Sequence, residues 1–584
     1  MRRRFILLVC AVVWSHVALA QDRAPELRSG WTPKAPIQTR YDMVAAANPL
    51  AVAAGHQVLR RGGNAIDAAV AVQMVLNLVE PQSSGIGGGA LLLFHNARSG
   101  SLIAYDGRET APAAAKPDRF LDPEGQPLEF YDAVVGGRSV GVPGTLRMLE
   151  LAHRQFGKLP WRVLFEPAIA LALQGFAVSP RLHAEIASER HLTQQRASAY
   201  FYNADGTPLA VGQTLKNPAF AAALKRIAAE GADAFYKGEI AQDIVATVHS
   251  APANPGDMTE ADLAGYRAKV REPVCARYRS YKVCGMPPPS SGGITVLQIL
   301  GILEPYDMKA LGAESLLSVH LFSEAGRLAY ADRNQYLADP DFVRPPPGLL
   351  DPAYLRERSA LIRLDSSMGH AAPGVPVVAE PARKRAGAWR SLGAAAALEF
   401  PSTSHLCIVD RYGNALSMTT TIEDAFGSRL MTRSGFLLNN ELTDFAFVPE
   451  EAGKPVANRI EAGKRPRSSM APTIVYDARG KVIMVVGSPG GSAIINYVAK
   501  TLIGVLDWGL DPQAAIDLPN VGSRNGATEL EEDTPAVALE PGLEALGHDI
   551  RVMEHTSGLQ AIVRTRSGWI GGADPRREGT AEGD

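Results

Sequence analysis

The stretch Thr403-Ser-His-Leu-Cys-Ile-Val-Asp-Arg-Tyr-Gly-Asn-Ala-Leu-Ser-Met-Thr-Thr-Thr421-Ile-Glu-Asp-Ala-Phe-Gly427 reads as a hairpin turning at Gly413-Asn414. Side chains alternate across a strand, so Thr403, His405 and Cys407 share one face. Taken by itself the stretch describes a half-buried strand with its hydroxyls on the solvent side.

Downstream of it, Thr473 to Tyr476 and Val482 to Val486 read as short strands, and about Ile494 to Leu506 as a helix. Upstream, Ala90 to Phe94 and Leu102 to Tyr105 read as paired strands. About Gly144 to Val245 carries Ala and Leu at helical spacing. Two earlier helices have clear ends. Asn48-Pro49 supplies a cap and a first-turn proline, and Gly62-Gly63 closes that helix. Asn64 caps a second, strongly apolar helix from Ala65 to about Leu78, with Asp67 in its first turn. Runs of strands separated from runs of helices predict packed sheets covered by helices.

Composition sets the outer bounds. The chain has 584 residues, 46% hydrophobic and 21% charged, which suits a large soluble fold. Arg2 to Arg4, an apolar run from Phe5 to Trp14 and Ala18-Leu19-Ala20 form a secretory signal over residues 1–20, too short to span a bilayer. The expected protein is therefore exported, periplasmic or secreted, and free of the membrane once the signal is cut. The 59 Lys and Arg less those three, against 61 Asp and Glu, leave about five net negative charges, which argues against a nucleic-acid partner. Cys275 and Cys284 flank a hairpin that turns at Arg279-Ser280. Counting outward makes them facing residues of a non-hydrogen-bonded pair, a geometry a disulfide accepts, and unpaired thiols on slipped strands are the alternative. The segment from about Ala382 to Ala397 reads as a flexible surface stretch, and the tail from Arg576 as a fraying end.

Three glycine-rich loops need explanation. Gly85-Ile-Gly87-Gly-Gly-Ala90, with Asp106 about twenty residues on, has the spacing of a dinucleotide fingerprint. Its context is reversed, because a helix precedes it and a strand follows. Pro287-Pro-Pro-Ser-Ser-Gly-Gly293 and Gly487-Ser-Pro-Gly-Gly491 read as turns. The second ends a strand and opens a helix, so its N–H groups can form a nest for an oxyanion.

The 403–427 stretch resembles the signature of the gamma-glutamyltransferase family, with its Thr-Ser-His start, Gly-Asn turn, Thr-x-Thr and closing Phe-Gly. The resemblance runs from Met43 to Arg576 through Gly62-Gly-Asn-Ala-Ile-Asp-Ala-Ala69, Asp106-Gly-Arg-Glu-Thr-Ala-Pro112, Asn439-Asn440, Asp444-Phe445 and Lys464-Arg-Pro-Arg-Ser-Ser-Met-Ala-Pro472. It implies an α+β fold, a four-layer αββα sandwich of the N-terminal nucleophile hydrolase type. It also implies a precursor that cuts itself between Ser402 and Thr403. The products are a large subunit, residues 21–402, and a small catalytic subunit, residues 403–584, which together form one sandwich.

Thr403 is then the nucleophile, and its freed α-amine, with a reference pKa of about 8, serves as its base. His405 supports the strand instead of moving protons. By matched position Arg108 takes the substrate α-carboxylate with Ser468 and Ser469, while Glu423, Glu441 and Asp444 hold the α-ammonium. Thr421 bonds the nucleophile hydroxyl, and the N–H groups of Gly490 and Gly491 form the oxyanion hole. The implied donor is glutathione or another γ-glutamyl compound and the acceptor water, an amino acid or a peptide. No metal or organic cofactor is called for. The connection between Asp444 and Ser468 is short and lacks a tyrosine-bearing lid, which implies a more open pocket. Two rival readings are a cephalosporin or glutaryl acylase on the same fold and an unprocessed, non-catalytic peptide-binding protein.

Overall fold

A computed structural model describes residues 30–376, 392–394 and 402–584. The signal segment and most of the 382–397 stretch lie outside the described residues. Two seven-stranded sheets stack face to face and each carries helices on its outer side, giving the αββα sandwich. The first sheet runs in the order Thr580–Glu582, Met43–Ala46, Ser402–Val409, Ala415–Glu423, Gly89–Asn96, Ser101–Gly107, Lys269–Arg271. The second runs Ile37–Thr39, Trp569–Ala573, Gln560–Arg564, Val482–Gly487, Thr473–Tyr476, Tyr281–Gly285, Val274–Tyr278. The pairings within both are antiparallel.

Every residue of Ser402–Val409 and Ala415–Glu423 is buried. The half-buried reading fails because the sheet has no solvent face. Leu406 and Ile408 join the core beneath the helices Pro49–Arg60 and Ala65–Val79, while Cys407 and Val409 point at the second sheet. Hydroxyls and the imidazole of this hairpin therefore sit in a dry layer and must bond one another. His405 Nδ1 meets Thr419 Oγ1 at 2.9 Å, and Ser417 Oγ donates to the Val486 carbonyl at 3.0 Å. Gly487 is needed where the sheets touch, since a Cβ there would stand 2.2 Å from the His405 ring.

The outer helices follow from local signals. Asn48 caps Pro49–Arg60 through the Leu50 N–H. Asn64 and Asp67 form a reciprocal capping box at the start of Ala65–Val79, and Asp67 also accepts from the Lys158 and Leu159 N–H groups. On the other side Gly292–Leu303 and Ile494–Leu506 cover the second sheet. Cys275 and Cys284 face each other at its edge and are joined as a disulfide.

The C-terminal tail differs from expectation. Arg576 is fully buried between Glu531 and Asp574, and Thr580–Glu582 pairs with Met43–Ala46. Polar, glycine-bearing composition pointed to fraying, but buried ion pairs and an edge-strand register fix the segment. No helix among the described residues is long and apolar enough to cross a membrane.

Replacing Asn64 with Ala removes one half of the capping box, and unfolding in urea should show a loss of about 1–2 kcal/mol, with Asn64→Ser close to the parent.

Candidate active site

Thr403 is the second residue of its strand, and its neighbour across the ladder is Thr421. The register slips there, so that Ser402 faces Glu423 and Thr403 faces Thr421, leaving Ile422 as a bulge. Bulges re-aim side chains. Here the bulge carries Glu423 into the left-handed region at φ 78°, and its carboxylate joins the pocket beside Thr403.

One hydroxyl organises this corner. Thr421 Oγ1 accepts from the Thr403 hydroxyl at 3.3 Å and from the Glu423 N–H at 2.9 Å. It donates its single proton to the Ser402 carbonyl at 2.7 Å. The Ser402 hydroxyl is tied to the Gln82 carbonyl at 2.6 Å, and Arg577 Nη1 donates to the Thr403 carbonyl at 3.2 Å. His405 lies one turn of the pleat away and bonds Thr419 instead of Thr403. Burial pushes its imidazole down to about 3, so it is neutral.

A pocket of about 260 Å³ is lined by Arg108, Thr403, Thr421, Glu423, Glu441, Asp444, Ser468, Ser469 and Gly491 together with Met470 and Ile494. Of the catalytic and substrate-binding residues expected from the sequence, the structure brings all but Gly490 to this lining. Gly490 precedes Gly491 at the mouth of the helix Ile494–Leu506, with φ 135° and 51° at the two glycines. A Cβ at Gly490 would stand 2.5 Å from the Tyr497 ring, so the turn requires glycine.

Electrostatics of the pocket are acidic and crowded. The Arg108 guanidinium pairs with Glu441 and Asp444 and donates to the Pro466 and Arg467 carbonyls at 3.2 and 2.9 Å. Glu109 lies 3.9 Å from the same guanidinium, fully buried, and neither of its oxygens has a hydrogen-bond partner among the described residues. Glu423 accepts from Asn440 Nδ2 through Oε2, whereas its Oε1 and Glu441 Oε2 have no such partner. Three carboxyls around one arginine, with Glu423 beside them, cannot all stay ionised out of water. Burial, with Glu109 adding repulsion and Arg108 opposing, pushes the Glu441 carboxyl up to about 8. Burial likewise pushes Glu109 up to about 7, with Arg108 opposing. Burial and then Asp444, Asp424 and Glu441 hold Glu423 well above the carboxylate range.

The model of the family described as gamma-glutamyltranspeptidase matches residues 51–584. The chain is 38% identical over 548 residues to the glutathione hydrolase proenzyme of Bacillus subtilis (strain 168), covering 93% of this chain and 91% of that one. The chain belongs to the gamma-glutamyltranspeptidase family. Among solved structures, a cephalosporin acylase from Bacillus halodurans superposes with a TM-score of 0.81 at 26% identity, over 95% of this chain and 97% of that one. The Helicobacter pylori gamma-glutamyltranspeptidase superposes with a TM-score of 0.55 at 35% identity, over 61% of this chain and 98% of that one.

Several residues of this family member's pocket carried no role in the sequence reading. Glu109, Asn440, Arg333 and Arg577 are the chief ones. Arg333 bridges the Ser291 and Ser469 hydroxyls at 2.8 and 2.6 Å and so fixes Ser469. Glu109 and Asn440 stand inside quoted motifs, which was the available signal; Arg333, deep in the helix Leu316–Tyr336, gave none. The glycines that mimic a dinucleotide loop have another purpose. Cβ atoms at Gly87, Gly88 and Gly89 would fall within 2.0–2.1 Å of the Leu437 carbonyl, the Thr421 carbonyl and the Glu109 carboxyl. They let the backbone lie against the nucleophile's hairpin.

A carboxyl that keeps its proton in the folded state and loses it in the unfolded one makes stability fall as pH rises between the two pKa values. For Glu441 that window runs from the ordinary 4.5 to about 8. Denaturant titrations at pH 5 and 8 should show Glu441→Gln gaining stability relative to the parent as pH rises, by at most about 1.4 kcal/mol per pH unit for one proton. Parallel pH slopes in the two proteins would refute the assignment.

Proposed function

We propose that this chain is a γ-glutamyl acyltransferase and glutathione hydrolase that becomes active by cutting itself before Thr403. The carrying observation is the pocket that sets the Thr403 hydroxyl beside Arg108 and beside two carboxylate oxygens, Glu423 Oε1 and Glu441 Oε2, with no protein donor. An α-ammonium satisfies such oxygens, and guanidinium matches an α-carboxylate. A γ-glutamyl group carries both at one end and its amide at the other.

Cleavage follows from the Thr421 geometry. Its hydroxyl proton on the Ser402 carbonyl polarises the bond to be cut, and Thr403 Oγ attacks the Ser402 carbonyl carbon. The C–N bond breaks as the acyl group moves to Oγ and the hydroxyl proton passes to the departing Thr403 nitrogen, and water then hydrolyses the ester to leave a Ser402 carboxylate and a free Thr403 amine. That amine takes the hydroxyl proton in each later turnover. With the Ser402 carbonyl gone, the Thr421 proton is available to Thr403 Oγ. The glutamyl γ-carbonyl is attacked next, its oxyanion rests on the Gly490 and Gly491 N–H groups, and water or an amine releases the acyl group. Each sheet contains strands from both sides of the cut, which supports the fragments remaining one body. The 98% of the Helicobacter pylori chain aligned over 61% of this one is consistent with relatives built from separate chains. Residues 1–20 serve as an export signal in this reading, placing the enzyme outside the cytoplasm.

Binding should displace Arg108 from Glu441 and Asp444 in part, because the guanidinium is already engaged by them. A glutaryl acylase on the same fold, whose acyl group carries no α-ammonium, gives no reason for two buried carboxylate oxygens without a hydrogen-bond donor at this place.

On a denaturing gel the parent should give fragments 21–402 and 403–584 and release amine from a γ-glutamyl anilide, while Thr403→Ala stays uncut and inactive. Fragments without γ-glutamyl release but with glutaryl release would favour the acylase. Thr421→Val should slow the appearance of fragments by about 10²-fold or more, the worth of one oxyanion donor.

A further inference from the structure

Among the described residues, two groups of metal-ligating side chains lie outside the pocket, and they differ in one respect. His320, Glu324 and His548 are buried together, but their lone pairs are spent. His320 Nε2 donates to the Arg363 carbonyl at 2.6 Å, so Nδ1 accepts from His548 Nε2 at 2.7 Å, and His548 Nδ1 accepts from Thr528 at 2.8 Å. Glu324 accepts from Arg327, Ser367 and Met368. That group is a closed hydrogen-bond network with a guanidinium inside it.

Asp42, His56 and Asp584 form the other group. His56 lies on the helix Pro49–Arg60 and is 5% exposed. Its Nδ1 stands 2.9 Å from Glu582 Oε1. An ionised carboxylate only accepts, so Nδ1 carries a proton, and the ring without a second proton presents its lone pair at Nε2. Nε2 faces two more carboxylate oxygens, Asp584 Oδ1 at 3.2 Å and Asp42 Oδ1 at 3.8 Å, and makes no hydrogen bond. Arg411 takes the other Asp42 oxygen, Oδ2, at 2.9 Å. Three carboxylates, those of Asp42, Glu582 and Asp584, gather at the ring against one guanidinium, that of Arg411.

We propose that His56 Nε2, Asp42 Oδ1 and Asp584 Oδ1 bind a divalent cation of the zinc type. Ligand atoms about 2.0–2.1 Å from a tetrahedral zinc stand about 3.3 Å from one another. The observed 3.2 and 3.8 Å fit that spacing and are long for a charge-assisted hydrogen bond of about 2.7–2.9 Å. A carboxylate on the far ring nitrogen is the usual support of a metal-bound histidine, and Glu582 occupies that place. Nitrogen with two oxygens favours zinc over calcium or magnesium. The cation would fasten the strand Thr580–Glu582 to Met43–Ala46, the strand beside Ser402–Val409.

The test uses the untagged protein, stripped with chelator and dialysed against Zn²⁺, with bound metal read by atomic emission and Tm read with and without the ion. One zinc per chain and a raised Tm are expected. Both effects should vanish in His56→Gln and in Asp584→Asn, the latter an exposed position whose change leaves the core intact, and affinity should fall about tenfold or more in Glu582→Gln. Zinc held equally by the variants, or none held by the parent, would overturn the site. So would a Tm that ignores zinc but drops as pH rises through the histidine range, since the lone pair would then hold a proton. γ-Glutamyl release is measured separately, so failure of the site leaves the reading of the pocket untouched.

Discussion

The Thr421 hydroxyl has one proton, and two oxygens are placed to receive it. In the continuous chain the Ser402 carbonyl holds it at 2.7 Å, while Thr403 Oγ waits at 3.3 Å as a donor. That allocation depends on the register slip between Ser402 and Thr403, which depends in turn on the hairpin being buried on both faces. Buried hydroxyls favour protein partners, and the bulge decides which partners the Thr421 hydroxyl finds. The same slip drives Glu423 into its left-handed conformation and into the pocket. Nucleophile geometry and pocket charge are consequences of one irregularity in one ladder.

Pocket acidity is the second consequence. Glu109, Glu441 and Asp444 surround Arg108 with Glu423 in the same pocket, and the fold supplies too few donors for their oxygens. A protein that kept this cluster for stability alone would do better with apolar side chains of the same volume. Retaining it makes sense where a cation arrives as part of a ligand. Protons occupy the cluster in its absence, which is why Glu441 and Glu109 are pushed toward neutrality.

Much of the fold was legible because its signals are local. The Asn48-Pro49 and Asn64 caps, the hairpin turns at Gly413-Asn414 and Arg279-Ser280, and the helix Ile494–Leu506 are each written in a few adjacent residues. Burial of the Thr403 hairpin on both faces was not, because its alternation of polar and apolar residues looks the same whether the polar side meets water or a second sheet. The tail from Arg576 misled for a similar reason. Its composition resembles a loose end, and only the distant Glu531 turns Arg576 into an anchor. The site residues came from motif positions, whereas Arg333 and Arg577 reach it from elements with no motif of their own.

What joins these observations is the first sheet's strand order. Thr580–Glu582 and Ser402–Val409 both pair with Met43–Ala46, so a strand from before the Ser402–Thr403 bond is held between two from after it. Breaking that bond removes one covalent link but no ladder hydrogen bond of this trio. Lys34 adds to the same grip by donating to the Asp574 and Arg577 carbonyls at 2.7 and 2.6 Å, in the loop from which Arg577 reaches the Thr403 carbonyl. A cut at that bond would thus expose a new amine at residue 403 while the neighbours that aim its hydroxyl stay fixed, since the strands that position Thr403 are secured by registers far from it.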